Sequence, residues 1–216
     1  MGKLRVKMFQ VCEIDQTYFY DRFLLSYYRI HNIPKWPLPQ KEWILDSGGY
    51  TIGMKGKDYE DMPQYDKYWT CEAYARFINI WKPNIAFTMD YAVKTDTDKR
   101  EIEKKQDMTD ENTARLLELV DKNTILANVL QGWETGDYLS HIDKMKETGT
   151  LTEYIGLGLP PVKLKNTKIV EDVISEVKKC LPARTKLHGL GFTADLFIHS
   201  PLKLDQMVYS ADTAYR

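Results

Sequence analysis

Short apolar runs alternate along the chain with longer stretches of helical periodicity. The runs are Val6–Val11, Trp43–Leu45, Asn84–Met89, Thr124–Leu130, Tyr154–Leu159, Lys186–Leu190 and Met207–Tyr209. Each is brief and rich in aliphatic or β-branched residues, as buried strands are. Between them, Glu72–Trp81 carries apolar residues at helical spacing, with Pro83 as a stop. Lys99–Val120 is charged at first and then shows an apolar stripe that includes Ala114, Leu117 and Val120. Asp137–Glu147 places Leu139, Ile142 and Met145 every third residue. Thr167–Cys180 gathers Ile169, Val170, Val173, Ile174 and Val177 on one helical face, and Pro182 ends it. Ala194–His199 predicts a short helical turn.

Strands that alternate with helices imply a parallel sheet with right-handed crossovers. Such a sheet is either open and doubly wound or closed as a barrel. Seven strands are recognisable, a barrel normally has eight, and nothing after Tyr209 reads as another strand. The segment at about 15–40 departs from the pattern. It reads as an aromatic-dense helix, Tyr18–Ile30, followed by the proline-broken IPKWPLPQ, an insertion suited to a lid or docking element.

Length and composition narrow the picture. A chain of 216 residues suits one domain, 1–216, with a full hydrophobic core. Hydrophobic residues at 43% and charged residues at 28% are ordinary for a globular protein. Fourteen Tyr and five Trp are many; most are expected to be plain packing. A net charge of −1 argues against a surface coated in basic residues. Local phosphate contacts stay open at Lys99–Lys105 and Lys163–Lys168, although a solvated helix face or loop explains each alone. Cys12, Cys71 and Cys180 lie far apart with no CxxC, which supports neither a zinc ribbon nor a disulfide framework and predicts a reducing, cytoplasmic location. No metal set is visible among His31, His141, His188 and His199. No apolar run approaches the roughly 20 residues of a membrane span, and MGKLRVKMFQV is too short and polar for a signal peptide.

Polar residues and glycines recur where the predicted strands end: Asp46-Ser47-Gly48-Gly49-Tyr50, Asp90, Gln131-Gly132, Gly156-Leu157-Gly158, His188-Gly189-Leu190-Gly191 and Ser210-Ala211-Asp212. In parallel α/β folds the C-terminal strand ends meet on one face, and active sites form there. Any one Asp is explained by a turn or a helix cap. Three carboxylates at one mouth are better explained by chemistry, because each is costly to bury unpaired. An amide such as Gln131 either satisfies buried partners or reads a base edge. His188, commonly structural when viewed singly, is placed by its strand end to face a ligand. A metal-free set of carboxylates suits nucleophilic and acid–base work at a sugar anomeric carbon.

The ordered motifs DSGGY, a strand ending in Asp, LQG, IGLGL, LHGLG and an Asp near Arg resemble the tRNA-guanine transglycosylase superfamily. That group includes the queuine and archaeosine tRNA enzymes and the DpdA-type enzymes that place 7-deazaguanines in DNA. The resemblance runs from about Trp43 to Arg216. It implies a TIM (β/α)-barrel, which favours closure over the open sheet, and no cofactor. It implies Asp46 as acid/base, Asp212 as nucleophile, Ser47 and Asp90 as readers of the base, and Tyr50 as an aromatic stacked on it. Gln131, in the Gln131-Gly132 motif, would hydrogen-bond the base. Gly48, Gly49 and Gly189 belong to the same motifs, Gly156 or Leu157 matches a backbone contact to the base, and Arg216 matches a basic residue beyond the nucleophile. His188 stands where the family has an apolar residue against the base. Asp205 is the alternative nucleophile.

The implied reaction replaces guanine in DNA, or in tRNA, with a 7-deazaguanine such as preQ0 through a covalent aspartyl intermediate. The nucleotide would be unstacked or single-stranded. The family's tRNA enzymes carry a CxCxxC…H zinc site after the nucleophile. This chain ends four residues past Asp212. A minimal or incomplete barrel, without the zinc subdomain or an eighth strand, is therefore expected, and DNA is favoured over tRNA. Closure by a partner subunit or second copy, by an N-terminal strand, or not at all stays open. Two other functions remain: a non-catalytic module that binds a deazapurine or nucleic acid, and an N-glycosidase-type hydrolase using the same carboxylates.

Overall fold

The computed structural model describes residues 5–34, 37–94, 98–200 and 202–214. In chain order the elements are β1 (Lys7–Val11), β2 (Arg22–Ser26), α1 (Tyr27–Ile30), β3 (Glu42–Asp46), α2 (Gly49–Met54), α3 (Tyr65–Tyr68), α4 (Cys71–Trp81), β4 (Ile85–Phe87), α5 (Lys99–Leu119), β5 (Ile125–Gln131), α6 (Thr135–Thr148), β6 (Tyr154–Gly158), α7 (Pro161–Leu164), α8 (Thr167–Cys180), β7 (Lys186–Gly189), α9 (Ala194–Ile198) and β8 (Ser210–Ala214). Each strand pairs in parallel with the next, and β8 pairs with β1 from Lys7↔Ser210 to Val11↔Ala214. The result is a closed eight-stranded barrel surrounded by helices, the TIM architecture.

Two strand expectations are corrected. The segment Tyr18–Ile30 is not one helix: its centre, Arg22–Ser26, is β2, paired with β1 and β3, and only Tyr27–Ile30 is helical. RFLLS buries both faces, so it shows no alternation, and so short a run fits either period. The last strand is Ser210–Ala214, not Met207–Tyr209. With β2 the strands number eight, so the strand expected to be missing lies near the start of the chain and not after Tyr209; β8 closes on β1, and Asp212 lies within β8 rather than beyond its last residue.

The strands read as near-continuous apolar runs because both their faces are covered. On β3, Ile44 points into the barrel while Trp43 and Leu45 meet the outer helices; on β5, Ala127 and Val129 point in while Leu126 and Leu130 point out. Phe9, Leu24, Ile44, Ile85, Phe87, Ala127, Val129 and Tyr154 fill the interior. The same period of two carries Asp46, His188, Ser210 and Asp212 inward, with Leu187 and Ala211 packed outward between them.

The outer layer differs around the ring. α6 and α8 bury Ile142, Met145, Val170, Ile174 and Val177 against β5 to β7. Among the described residues, the β1–β2 and β2–β3 connections carry only a 3-10 turn (Ile14–Phe19) and the four-residue α1. Aromatic side chains cover that side: Tyr27 packs on Trp69, Tyr74 and Phe77 with ring centroids 4.8–5.4 Å apart. α5, 21 residues long, extends about 30 Å, well beyond the strands. Its Lys105 and Gln106 are level with the strand ends, bonded to the Ala92 and Gln131 carbonyls, so its first turns overhang the mouth. Among the described residues no helix is long and apolar enough to cross a membrane.

Candidate active site

The last residue of β3, the segment just after β4 and the middle of β8 bring Asp46, Asp90 and Asp212 to one mouth. Asp46 is the last residue of β3, and its Oδ2 accepts from the Gly48 amide at 3.0 Å. The chain then turns sharply into α2. Gly48 has φ +91°, a conformation that disfavours a side chain. A Cβ on Gly49 would lie 2.1 Å from the Asp90 carbonyl oxygen. Backbone geometry therefore accounts for both glycines of DSGGY: the turn lays Ser47 and Gly49 directly against Asp90.

Asp90 sits in a web of neutral donors. Ser47 donates from its hydroxyl to Oδ1 at 2.9 Å, and the Gln131 amide donates to Oδ2 at 2.5 Å. Ser47 Oγ accepts in turn from the Tyr59 hydroxyl at 3.0 Å and from the Gly49 amide at 3.2 Å. Gln131 Oε1 accepts from the Val93 amide at 2.6 Å. Gln131 is thus engaged at both ends of its amide, and its observed work is to orient Asp90.

Asp212 is held by a second web. Its Oδ1 accepts from the Gly191 amide at 3.1 Å and meets His188 Nε2 at 3.0 Å. His188 Nδ1 is 2.8 Å from Ser210 Oγ, which is hydrogen-bonded to the Tyr154 hydroxyl. His188 does not stand at the open rim as its strand-end position suggested. It is fully buried beneath Asp212, between the rings of Phe9 and Phe87 at 6.1 and 5.0 Å. Asp205 lies elsewhere: it precedes β8 and takes the Arg5 amide at 3.5 Å beside the start of β1, at the opposite end of the barrel.

The electrostatics separate these groups. Burial, then the charges of Asp90 and Asp212, push the Asp46 carboxyl up to about 7; the Ser26 hydroxyl and the Gly48 amide pull the other way. Asp46 remains partly exposed to the mouth, so water moderates this effect. Burial raises Asp90 to about 6, against the Ser47, backbone and Gln131 hydrogen bonds that favour its charged form. Burial also carries the Tyr59 phenol well above its usual range, keeping it a donor.

Tyr50 is about half exposed on α2, at 49%. Gly132 and Gly189 are packing positions: a Cβ would strike α6 at Asp137 and the Phe192 ring, at 2.8 and 2.3 Å. Gly156 makes room for Phe87 inside the barrel, where a Cβ would come within 2.8 Å of the ring. Leu157 turns its side chain to the helices, and its carbonyl accepts from Leu190. Arg216 lies outside the described residues. Of the lysine-rich stretches, Lys105 reaches the site. With Gly49, Lys57, Lys94 and Asp90 it lines a cleft of about 20 Å³ between α2 and α5. Lys163 instead lies over Trp133, 4.4 Å from the ring centroid. Sequence reasoning missed Tyr59 and Tyr154. Tyr154 was findable, because with Gly156 it shares the inward register of β6; Tyr59 opens a three-residue 3-10 turn, too short to carry a period.

No protein-family model and no curated protein matches the chain.

Proposed function

We propose that the protein is a base-exchange transglycosylase that replaces guanine in a nucleic acid, DNA or tRNA, with a 7-deazaguanine such as preQ0. One observation carries the reading. Three buried or half-buried carboxylates, Asp46, Asp90 and Asp212, share one barrel mouth with neutral donors around them, and the acidities of Asp46 and Asp90 are shifted towards neutral pH. Groups poised in this way suit proton transfer near pH 7. The order of the surrounding motifs supplies the substrate class by resemblance.

In this reading Asp212 attacks C1′ of the target nucleoside, the C1′–N9 bond breaks, and protonated Asp46 gives its proton to the departing guanine. The incoming base then loses its ring N–H proton to Asp46 and attacks C1′, and the C1′–Asp212 ester bond breaks. Asp90, with Ser47 and Gln131 fixing its two oxygens, faces the base edge.

The test is incorporation of labelled guanine or preQ0 into single-stranded DNA and into tRNA. Incorporation with a trapped aspartyl adduct in the wild type, and neither in Asp212→Asn, is the expected result. Base release without incorporation would assign a hydrolase instead. Exchange by Asp212→Asn at the wild-type rate would remove Asp212 as nucleophile.

A further inference from the structure

Among the described residues, one connected file of polar side chains runs through the apolar interior of the barrel. Tyr154, Ser210 and His188 are all buried to within 2% of full burial, and the file ends on Asp212. Leaving a polar group unpaired in such a place is costly, so the accounting of donors is strict. Asp212 Oδ1 is an acceptor. With Nε2–H donating to it, Nδ1 of a singly protonated ring is left to accept. Only the Ser210 hydroxyl can donate there, so Ser210 Oγ must accept from the Tyr154 phenol. Each donor then has one acceptor, and the direction Tyr154 → Ser210 → His188 → Asp212 is unique for that ring. A ring protonated at both nitrogens would add a second donor at Ser210 Oγ and leave one hydroxyl proton of the file, that of Ser210 or of Tyr154, without an acceptor in it.

We infer that His188, with its tautomer set by Ser210 and Tyr154, is a positioning residue for Asp212. This rests on the reading of Asp212 as nucleophile. Both the His188 and Gly191 bonds fall on Oδ1. They fix the rotation of the carboxylate and leave Oδ2 as the oxygen turned to a sugar carbon. Correct aim of a nucleophile is worth orders of magnitude in rate, while binding of the polymer is untouched by it. The file lies buried in the barrel interior beside Phe9 and Phe87, so it acts on the substrate through Asp212.

The experiment compares wild type, Asp212→Asn, His188→Phe and His188→Gln in the full chain, with folding checked by circular dichroism. In base exchange, His188→Phe is expected to lower kcat by about 10²-fold with KM nearly unchanged. His188→Gln, whose amide N–H can reach the same Oδ1, is expected to recover about tenfold of that loss. An unchanged kcat in a folded His188→Phe, or equal failure of Gln and Phe, would overturn the assignment. An arm independent of activity is NMR. The histidine ¹⁵N signals should show His188 as the Nε2–H tautomer, and the Asp212 ¹³C carboxyl signal should move in His188→Phe. The opposite tautomer or an unmoved carboxyl signal overturns the arrangement. If the wild type shows no exchange at all, the transglycosylase reading falls while the NMR arm still decides whether His188 sets Asp212.

Discussion

Glu42 and Asp46 begin and end the same five-residue strand, and the barrel pushes their carboxyls in opposite directions. Glu42, at the N-terminal end, is bonded by Lys7 and Arg22, both at 2.9 Å. Burial opposes its charge, but those hydrogen bonds and charges outweigh burial and hold its acidity below the usual carboxylate range. Asp46, at the other end, has other carboxylates as its charged neighbours and is pushed up to about 7. One end of the barrel compensates its carboxylate with two cations; the other surrounds its carboxylates with amides, hydroxyls and an imidazole. The compensated charge ties β1, β2 and β3 together, and the Asp46 carboxyl, with carboxylates as its charged neighbours, is available for proton transfer.

The largest test of this contrast is removal of the nucleophile. Asp212→Asn is expected to lower single-turnover exchange by about 10³-fold or more, with the fold intact by circular dichroism. Asp46→Asn is expected to cost about 10²–10⁴-fold in exchange. Wild-type kcat/KM should fall as pH rises through about 7, where the proton on Asp46 is lost, and a flat profile from pH 6 to 8.5 would remove Asp46 as the acid.

Stability should move the other way. A carboxyl raised in the folded state binds its proton more tightly there than in the unfolded chain. The wild type therefore loses stability as pH rises from about 4 to about 7 and levels off above. Asp46→Asn should then be more stable than wild type at neutral pH, on the order of 2 kcal/mol after allowing for the exposed part of the carboxyl, by denaturant titration. Glu42→Gln tests the opposite sign. Its stabilisation is present above the ordinary carboxylate range and lost as pH falls through its lowered value. The variant should cost about 1 kcal/mol at neutral pH, leave exchange unchanged, and flatten the acid limb of the stability curve.

Gly49→Ala sharpens the contrast at closer range. The added methyl would meet Asp90 backbone, which cannot rotate away, so a loss of about 1–3 kcal/mol is expected, together with reduced exchange as the Ser47–Asp90 contact shifts. The smallest effect belongs to Asp205→Asn, at the far end of the barrel, where exchange and stability should both stay at wild-type values.

Some of this arrangement is visible in the chain. Asp46 and Asp90 directly follow apolar runs, so their places at strand ends can be read locally. The glycines of DSGGY can be read too, though as makers of a turn and a close approach as much as ligand contacts. β2 cannot be read this way, because five residues buried on both faces show no period, and the aromatic neighbours that cover them suit a helix equally well. Nor can Gln131 be assigned from its motif, since its engagement with Asp90 and Val93 depends on where the loop after β4 runs.

The sequence by itself determined the alternation of strands with helices, and with it the delivery of carboxylates to one face, because periodicity and strand ends are local properties. Only the tertiary structure decided that the barrel is closed. That closure is a set of hydrogen bonds between Lys7–Val11 and Ser210–Ala214, at opposite ends of the chain, and no local pattern records it. It also decided that Asp212 lies in the wall of the mouth with His188 beneath it. That contact follows from the register His188↔Ser210 across β7 and β8 and the period of two that turns Asp212 to the same side, a relation between strands that neither strand carries alone.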